Sequence, residues 1–380
     1  MLKLTWPQAA AWRARRHHLD RRAPRGSLLA VASRLCGLHA QVLSSAELTA
    51  WARVEVLEPG GVQRALWEER TLVKTWAMRG TLHLLPADEL PLWHAALGTS
   101  PRFLKPARWE KYFGITIDEL DRLTAAVGEV LEGRLLTREE LAREVGRKAG
   151  GAAFCKTLAE NSWGVVLRPA AFSGGLCFAP SLGQRVRFTN PRSWLAAAKK
   201  KPAAPIDAGS ATAEVTRRYL AVNGPATHHD LARWWNGGGT AIARQWIAAL
   251  GAEVCAVEIE GTPAWMRASD ARRIREQPPL RSVRLLPGFD QYVVAASHHA
   301  ARLMTGDFRG RIYRPQGWIS PVLLVNGRMD GTWRHKSKGS RIEVTVEPFG
   351  KPPAWVRRAA GEEAERLAGF LGGQLNLAWK

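Results

Sequence analysis

The sequence predicts an α+β protein in which three tandem winged-helix units are followed by a C-terminal antiparallel β-barrel-like domain. Three times along the chain, segments with helical periodicity precede two β-rich runs that flank a glycine-containing turn. From about residue 281 onward, short β-rich runs separated by Gly, Pro and Asn-Gly turns replace this pattern. No strict residue-level repeat accompanies the recurring order of elements, so the prediction depends on that order alone.

The charge balance of the chain predicts a polyanionic partner. Lysine and arginine number 55 against 34 aspartates and glutamates, which gives a net charge of +21. Basic residues are spread over the whole chain, and arginine, which suits bidentate phosphate contacts, outnumbers lysine. The alternative is a GC-rich genome that has enriched arginine and alanine. Because winged helices are frequent DNA-binding units, we expect double-stranded DNA as the partner, bound by a long, folded surface.

The first unit is predicted over residues 1–115, with helices at about 7–22, 27–40, 44–56 and 62–69. Two β-rich runs, 72–76 and 81–85, then form a hairpin across the turn Met78-Arg79-Gly80. Lys74, Arg79 and His83 lie on this hairpin, which makes them candidate DNA contacts. The alternative for Arg79 and His83 is that they brace the hairpin.

The second unit is predicted over residues 116–195, with helices at 117–131, 137–147 and 152–162. Its β-rich runs, 164–168 and 176–179, flank Ser173-Gly174-Gly175, which is predicted to be a hairpin tip. Phe172 precedes Gly174 and Gly175 at this tip, where an apolar side chain is able to wedge into a duplex. An ordinary solvent-exposed wing is the alternative.

The remaining chain is predicted to hold a linker, a third unit and a C-terminal domain. In the basic linker, 196–205, Lys199, Lys200 and Lys201 either attract phosphates without regard to sequence or are simply solvated. The third unit, 206–280, has predicted helices at 211–222, 227–235 and 241–250 and strands at 254–259 and 264–266. The C-terminal domain, 281–380, has predicted strands at 283–286, 322–325 and 342–346 and a closing helix at 361–371.

Composition also argues against several classes of protein. No apolar run reaches the roughly 18 residues of a membrane span, and the N-terminus lacks the pattern of a signal peptide, so we expect a cytoplasmic protein. Four cysteines without C-x-x-C spacing predict reduced thiols. The histidine pairs at 17–18, 228–229 and 298–299 lack a carboxylate or cysteine at ligand spacing, so we predict no metal and no cofactor. Because no long heptad or dimerisation helix is present, we expect a monomer.

Two proton-handling side chains stand one residue apart in Cys36-Gly37-Leu38-His39-Ala40-Gln41, within a small and apolar context. Imidazole accepts a proton near neutral pH, and an amide both donates and accepts hydrogen bonds. Residues i and i+2 converge only where the backbone is extended, or where a helix ends and the chain turns. An ordinary surface or capping role is the alternative for His39 and Gln41.

Three separated motifs resemble one known family. They are Trp76-Ala77-Met78-Arg79-Gly80-Thr81-Leu82-His83-Leu84, Leu285-Leu286-Pro287-Gly288-Phe289-Asp290 and Asn326-Gly327-Arg328-Met329-Asp330-Gly331-Thr332-Trp333-Arg334. In this order they are similar to the bacterial winged-helix DNA glycosylases of the AlkZ-like type, which protect antibiotic producers against their own DNA-alkylating products. The resemblance covers essentially the whole chain. It implies tandem winged helices and a C-terminal β-barrel, in agreement with the pattern above.

The resemblance also implies a catalytic pair and a reaction. The family signature is Gln, an apolar residue, then Gln or Asp, and this chain has His39-Ala40-Gln41 at that place. The replacement of the first Gln by His is similar to a subset that guards against intercalating guanine alkylators such as hedamycin. The implied reaction removes a bulky N7-alkylguanine from duplex DNA by attack of water at C1′, without a lysine nucleophile. The alternative is a non-catalytic winged-helix regulator, which would not need His39 and Gln41.

Overall fold

The computed structural model describes residues 1–99, 106–160, 164–199, 204–235 and 239–380. The chain forms two compact units that alternate along the sequence. Unit 1 comprises Met1–Val62, Thr216–Trp234 and Ala243–Lys380, and unit 2 comprises Gln63–Val215 and Trp235–Ile242. His39 and Gln41 therefore belong to unit 1, and the hairpin with Arg79 belongs to unit 2.

The α-helices follow in chain order. They are α1 (Trp6–Arg16), α2 (Leu28–Arg34), α3 (Leu43–Trp51), α4 (Gly61–Trp67), α5 (Leu90–Leu97), α6 (Pro106–Phe113), α7 (Ile117–Val130), α8 (Arg138–Ala149), α9 (Ala152–Glu160), α10 (Arg168–Phe172), α11 (Pro191–Ala196), α12 (Ala208–Asn223), α13 (His228–Trp235), α14 (Thr240–Ala248), α15 (Ala271–Arg275), α16 (Gln291–Ala296), α17 (Arg309–Ile312) and α18 (Ala354–Phe370). Short 3-10 turns join several of them.

The strands also follow in chain order. They are β1 (Leu2–Leu4), β2 (Leu38–His39), β3 (Leu72–Trp76), β4 (Leu82–Pro86), β5 (Leu136–Thr137), β6 (Cys177–Leu182), β7 (Arg185–Thr189), β8 (Val254–Ile259), β9 (Thr262–Arg267), β10 (Val283–Leu286), β11 (Val322–Val325), β12 (Arg328–Lys338), β13 (Arg341–Pro348) and β14 (Gln374–Trp379). In each of the three predicted segments, helices precede an antiparallel hairpin: β3–β4, β6–β7 and β8–β9.

The two N-terminal helices end earlier than their periodicity predicts. Helix α1 begins with a capping box, in which Thr5 Oγ1 accepts from the Gln8 amide and the Gln8 side chain accepts from the Thr5 amide. The left-handed backbone of His18 then turns the chain after α1. The predicted helix at 27–40 stops at Arg34 because Cys36 and Gly37 both have positive φ. His39 therefore lies in a short strand and not in a helix.

The hairpin of the second segment lies further along the chain than predicted, so the predicted tip at 173–175 is wrong. Residues 164–168 form a left-handed glycine, a 3-10 turn and the start of α10, because Pro169 is favoured in the first turn of a helix. Phe172 ends α10 and is buried, and Gly174 and Gly175 follow it away from any tip. The actual turn joins β6 to β7 at Gly183, next to the exposed Leu182.

Close packing explains the two glycines that follow α10. A side chain at Gly174 would lie 2.7 Å from His94 Nδ1, and one at Gly175 would lie 3.2 Å from the Gly128 backbone. Gly174 and Gly175 therefore pack closely against other parts of unit 2, and the neighbouring Phe172 side chain is only 4% exposed. A wedge that enters a duplex needs an exposed side chain, so the structure gives Phe172, Gly174 and Gly175 a packing role.

The C-terminal strands form one mixed sheet with the order β10-β11-β12-β13-β14. The first four strands are antiparallel, but β14 runs parallel to β13, with Ile342 opposite Leu375. The long helix α18 connects β13 to β14, and such a crossover returns the chain to the end where β13 began. The prediction of an antiparallel, barrel-like domain is therefore wrong. The described strands form an open, mixed sheet with β10 at one edge and β14 at the other.

Replacing Gly164 by alanine is expected to destabilise unit 2 by about 2–5 kcal/mol, because a left-handed backbone costs an L-residue roughly 1–2 kcal/mol and overpacking adds roughly 1–3 kcal/mol. The added Cβ would lie 2.7 Å from the Trp76 ring. Gly183→Ala is the matched control, since Gly183 has φ of 60° against 59° for Gly164 but no atom within 4 Å. Urea unfolding followed by circular dichroism measures both. Equal losses in the two variants would show that the Trp76 contact is not tight.

Candidate functional site

The stretch from Cys36 to Gln41 forms a turn and then a short extended segment. Cys36 has φ of 60° and Gly37 of 91°, so the chain reverses after α2 and enters β2. His39 is buried at 5% exposure, whereas Gln41 lies in an exposed bend just before α3. Extended backbone is the geometry in which residues two apart share a face. Strand β2 ends at His39 and the chain bends at Gln41, so convergence of the two side chains stays a prediction.

The loop after β10 braces this stretch from one side. Gln291 is buried, and its Nε2 donates to the Gly37 carbonyl oxygen at 2.6 Å. The Phe289 ring stacks on the His39 imidazole, with 5.3 Å between the ring centroids and 12° between the planes. Phe289 has φ of 61°, a left-handed conformation that costs a non-glycine residue roughly 1–2 kcal/mol. Such strain is retained where surrounding contacts hold it, and it is common at functional sites.

A fully buried ion pair holds the elements on both sides of the stretch. Arg53 and Asp290 have side chains at 0% exposure and are joined by two hydrogen bonds of 2.7 Å. Arg53 also donates to the Thr49 carbonyl near the end of α3, and Asp290 accepts from the Tyr292 amide at the start of α16. Helix α3 begins two residues after Gln41. The pair therefore ties the helix after Gln41 to the loop that carries Phe289.

The third sequence motif supports the same loop. Trp333 is buried, and its Nε1 donates to the Leu286 carbonyl at 2.7 Å. The Tyr292 hydroxyl donates to the Gly327 carbonyl at 2.7 Å. Two motifs more than 35 residues apart, 285–290 and 326–334, are thus joined to each other, and the first of them contacts His39.

Lys74, Arg79 and His83 lie on or beside the β3–β4 hairpin of unit 2, as predicted. His83 is fully buried, and its Nδ1 lies 3.0 Å from the Thr81 carbonyl, which can only accept, so Nδ1 is the donor. Burial lowers the pKa of Lys74, whose ammonium lies 5.1 Å from the centroid of the Phe178 ring. These contacts favour the bracing role for His83. Arg79 is partly exposed at a left-handed turn position, where contact with DNA stays a prediction.

The linker lysines are only partly described. Lys199 is exposed after α11 and has a left-handed backbone. Lys200 and Lys201 lie outside the described residues. Phosphate attraction by the three lysines therefore stays a prediction.

An arginine cluster in unit 1 was not predicted as a unit from the sequence. Arg16 and Arg267 lie 3.9 and 3.5 Å from the same carboxylate oxygen of the buried Asp270. Burial lowers the pKa of Arg34, and the nearby Arg267 lowers this pKa further, while Asp270 opposes both. Several guanidinium groups thus share one carboxylate, and the surplus positive charge suits a phosphate. The basic runs around residues 13–25 and 267–275 were the only sequence signal, and nothing local indicated Arg34.

The histidine pairs have other partners in the structure. His17 Nε2 lies 3.1 Å from Asn223 Oδ1 inside unit 1, and His299 Nε2 lies 3.0 Å from Asp230 Oδ2. Burial alone would raise the pKa of Asp230, but the hydrogen bond and charge of His299, with the charge of Arg13 and the Thr227 amide, outweigh burial and lower it to about 2. Within the described ranges, no group of three or more His, Cys, Asp or Glu side chains is arranged to hold a metal ion. Nor does that part of the chain contain a helix with the length and apolar character needed to cross a membrane.

The fold is that of a mixed α+β protein, and comparison with known proteins gives its class. The sequence model of the DNA glycosylase AlkZ-like family matches residues 32–370, and the chain belongs to that family. It is 34% identical over 369 residues to the interstrand DNA cross-link repair glycosylase of Streptomyces sahachiroi, covering 97% of this chain and 96% of the relative. The solved structure of the Streptomyces sahachiroi DNA glycosylase AlkZ matches with a TM-score of 0.87 and 32% identity over 100% of both chains. The chain is thus an enzyme of the DNA glycosylase class. Membership of this family confirms the expectation that DNA is the substrate.

Proposed function

We propose that this DNA glycosylase is monofunctional and removes bulky N7-alkylguanine adducts from duplex DNA, protecting its host from a genotoxic natural product such as an intercalating guanine alkylator. The observation that carries the proposal is the environment of His39, buried against Phe289 in a braced turn, with Gln41 exposed two residues later. The related Streptomyces sahachiroi protein is described as a cross-link repair glycosylase, which supports a large lesion as substrate. We further propose a cytoplasmic monomer.

The proposed chemistry uses a positioned water molecule. An N7-alkylated guanine carries a positive charge and leaves C1′ readily, so it requires little protonation of the base. The water oxygen forms a bond to C1′ while the C1′–N9 bond breaks. The electron pair of the broken bond stays on N9 and neutralises the positive charge of the departing base. Gln41 holds the water by hydrogen bonds, and His39 either accepts its proton or orients it while the proton passes to bulk solvent. The products are the free alkylated base and an abasic site, since no lysine attacks the sugar.

The three helix–hairpin segments are proposed to act as winged-helix units, with the boundaries 1–115, 116–195 and 206–280, followed by the C-terminal domain at 281–380. The net charge of +21 supports DNA binding. Lys74, Arg79 and Lys199–Lys201 are proposed contacts to phosphate within unit 2. The arginine cluster of Arg16, Arg34 and Arg267 around Asp270 is the proposed contact within unit 1.

Base release from a defined duplex tests the proposed function. Purified protein is incubated with a duplex that carries one bulky N7-alkylguanine, the free base is measured by mass spectrometry, and alkali-labile sites are counted on a gel. We expect stoichiometric release of the intact adducted base and strand breaks only after alkali treatment. Tight duplex binding with no release would instead support the non-catalytic regulator. Strand cleavage without alkali would contradict a monofunctional mechanism.

Replacing Arg34 by alanine is expected to weaken duplex binding uniformly across sequences and to reduce the slope of log K against log salt by about 1, as for one lost phosphate contact. Burial lowers the pKa of Arg34, but the group retains its charge and shares Asp270 with other arginines. Arg147→Ala is the matched control, because Arg147 is 77% exposed and paired with Glu144 in unit 2. Fluorescence anisotropy over a salt series measures both slopes. An unchanged slope in Arg34→Ala would exclude the cluster from the DNA interface.

A further inference from the structure

Three aromatic rings in contact, those of His39, Phe289 and Trp318, lead from the buried His39 to solvent. The Phe289 ring stacks on the His39 imidazole, and its centroid also lies 5.2 Å from that of the Trp318 ring, with 50° between the planes. Trp318 is 54% exposed, whereas Trp51 and Trp93 are almost fully buried. A large aromatic ring left in water is unremarkable when it stands alone. Here the Trp318 ring contacts Phe289, and Phe289 contacts His39 of the proposed active site.

The backbone that carries Trp318 is held in place. Tyr313 and Ile319 pair as an antiparallel bridge, and the Arg314 amide donates to the Trp318 carbonyl at 2.8 Å. The turn between them uses the left-handed conformations of Gln316 and Gly317. Trp318 therefore stands at a closed turn rather than on a free loop.

The same turn is tied to the backbone that precedes Phe289. A side chain added at Gly288 would lie 2.9 Å from the Ile319 carbonyl oxygen, so the two segments approach at a distance that requires glycine. Phe289 next to it keeps a left-handed backbone. The positions of the Phe289 and Trp318 rings are thus set by adjoining backbone segments, which gives a preorganised aromatic surface.

We propose that Trp318, supported by Phe289, is a substrate-binding surface that stacks on a planar aromatic ring of the lesion beside His39. This inference rests on the proposed function, because an N7-alkylguanine is both planar and cationic. Tryptophan is the best side chain for binding a cation over its ring face, and a base stacked on an aromatic side chain gains affinity without sequence preference. The exposed Arg314 lies four residues before Trp318, where a phosphate beside the lesion is a suitable partner.

The planar ring has two possible sources: the alkylated purine itself or an aromatic part of the adduct. Three duplexes distinguish them: one with N7-methylguanine, one with an N7 adduct that carries a polycyclic aromatic group, and one with an aliphatic N7 adduct of similar size. A Trp318→Ala variant that loses activity on all three duplexes identifies the purine as the stacked ring. A loss confined to the polycyclic substrate identifies the adduct.

The expected effect of Trp318→Ala is a rise in KM of about 10- to 100-fold with little change in kcat, because stacking is present in both the bound substrate and the transition state. Trp318→Phe is expected to recover most of the lost affinity, since it retains a ring. Trp355→Ala is the control, because Trp355 is a partly exposed tryptophan whose ring faces Arg281. A merely structural role for Trp318 would lower the melting temperature and would leave KM unchanged.

The test separates failure of this inference from failure of the proposed function. If the wild type releases base and Trp318→Ala has wild-type KM on all three duplexes, the inference is overturned and the proposed function stands. If the wild type releases no base, the preference for adducted over undamaged duplex is measured by fluorescence anisotropy for both proteins. An equal preference in wild type and Trp318→Ala then overturns the inference as well, whereas its loss in the variant supports a lesion-binding surface.

Discussion

Gln41→Ala is expected to lower the single-turnover rate of base release by about 100- to 1,000-fold, the range in which removal of one preorganised hydrogen-bonding side chain slows a reaction. Gln41 is exposed at the bend before α3, where an amide is available to a water molecule. Affinity for the adducted duplex is expected to stay within about twofold, because the lost interaction acts on the attacking water. Gln245→Ala is the matched control, since Gln245 is an exposed glutamine on α14. An active Gln41→Ala enzyme would remove Gln41 from the mechanism.

His39→Gln is the variant that decides between the two roles proposed for His39. It creates the Gln-Ala-Gln sequence of the family signature, and a Gln amide is able to orient water but unable to take its proton. Activity near that of the wild type would therefore assign His39 to orienting the water. A loss as large as that of His39→Ala would assign it to proton transfer. Melting temperatures accompany both variants, because the His39 ring is buried against Phe289.

Asp290→Asn is expected to lower the free energy of unfolding by about 3–5 kcal/mol, because it leaves the buried Arg53 charge without its partner. Both side chains are at 0% exposure and share two hydrogen bonds of 2.7 Å. We also expect a lower rate of base release, since the pair fixes the loop that carries Phe289. Urea unfolding at neutral pH measures the stability of the variant and of the wild type.

Glu347→Gln is the control for Asp290→Asn. It breaks the pairs of Glu347 with Arg311 and Arg334, whose side chains are 44% and 50% exposed, and such surface pairs contribute about 0–1 kcal/mol each. A double replacement, Arg53→Met with Asp290→Leu, is expected to lose less stability than Asp290→Asn, because no unpaired charge remains buried. Equal stability of Asp290→Asn and Glu347→Gln would show that the buried pair does not hold the site together.

Much of the local structure follows from residue patterns. The β-rich runs at 72–76 and 81–85 become the β3–β4 hairpin to within one residue, and Thr137 with Glu140 starts α8 as a capping box. The run at 164–168 misled the prediction, since its apolar residues have the composition of a strand while Pro169 starts a helix. A short apolar run has no periodicity that distinguishes a strand from a buried helix. The secondary structure of residues 164–168 is therefore decided by their packing within unit 2.

By itself, the sequence determined the α+β class, the order of helices and hairpins, the excess of positive charge and the motifs of a DNA glycosylase. These depend on composition and on neighbours along the chain. Only the tertiary structure brought Phe289 to His39 and Trp318 to Phe289, paired Arg53 with Asp290, and gathered Arg16, Arg34 and Arg267 around Asp270. More than 200 residues separate the partners in each of these contacts with the N-terminal region. Contacts of that range leave no local pattern, because they arise from burial and charge pairing in the folded chain.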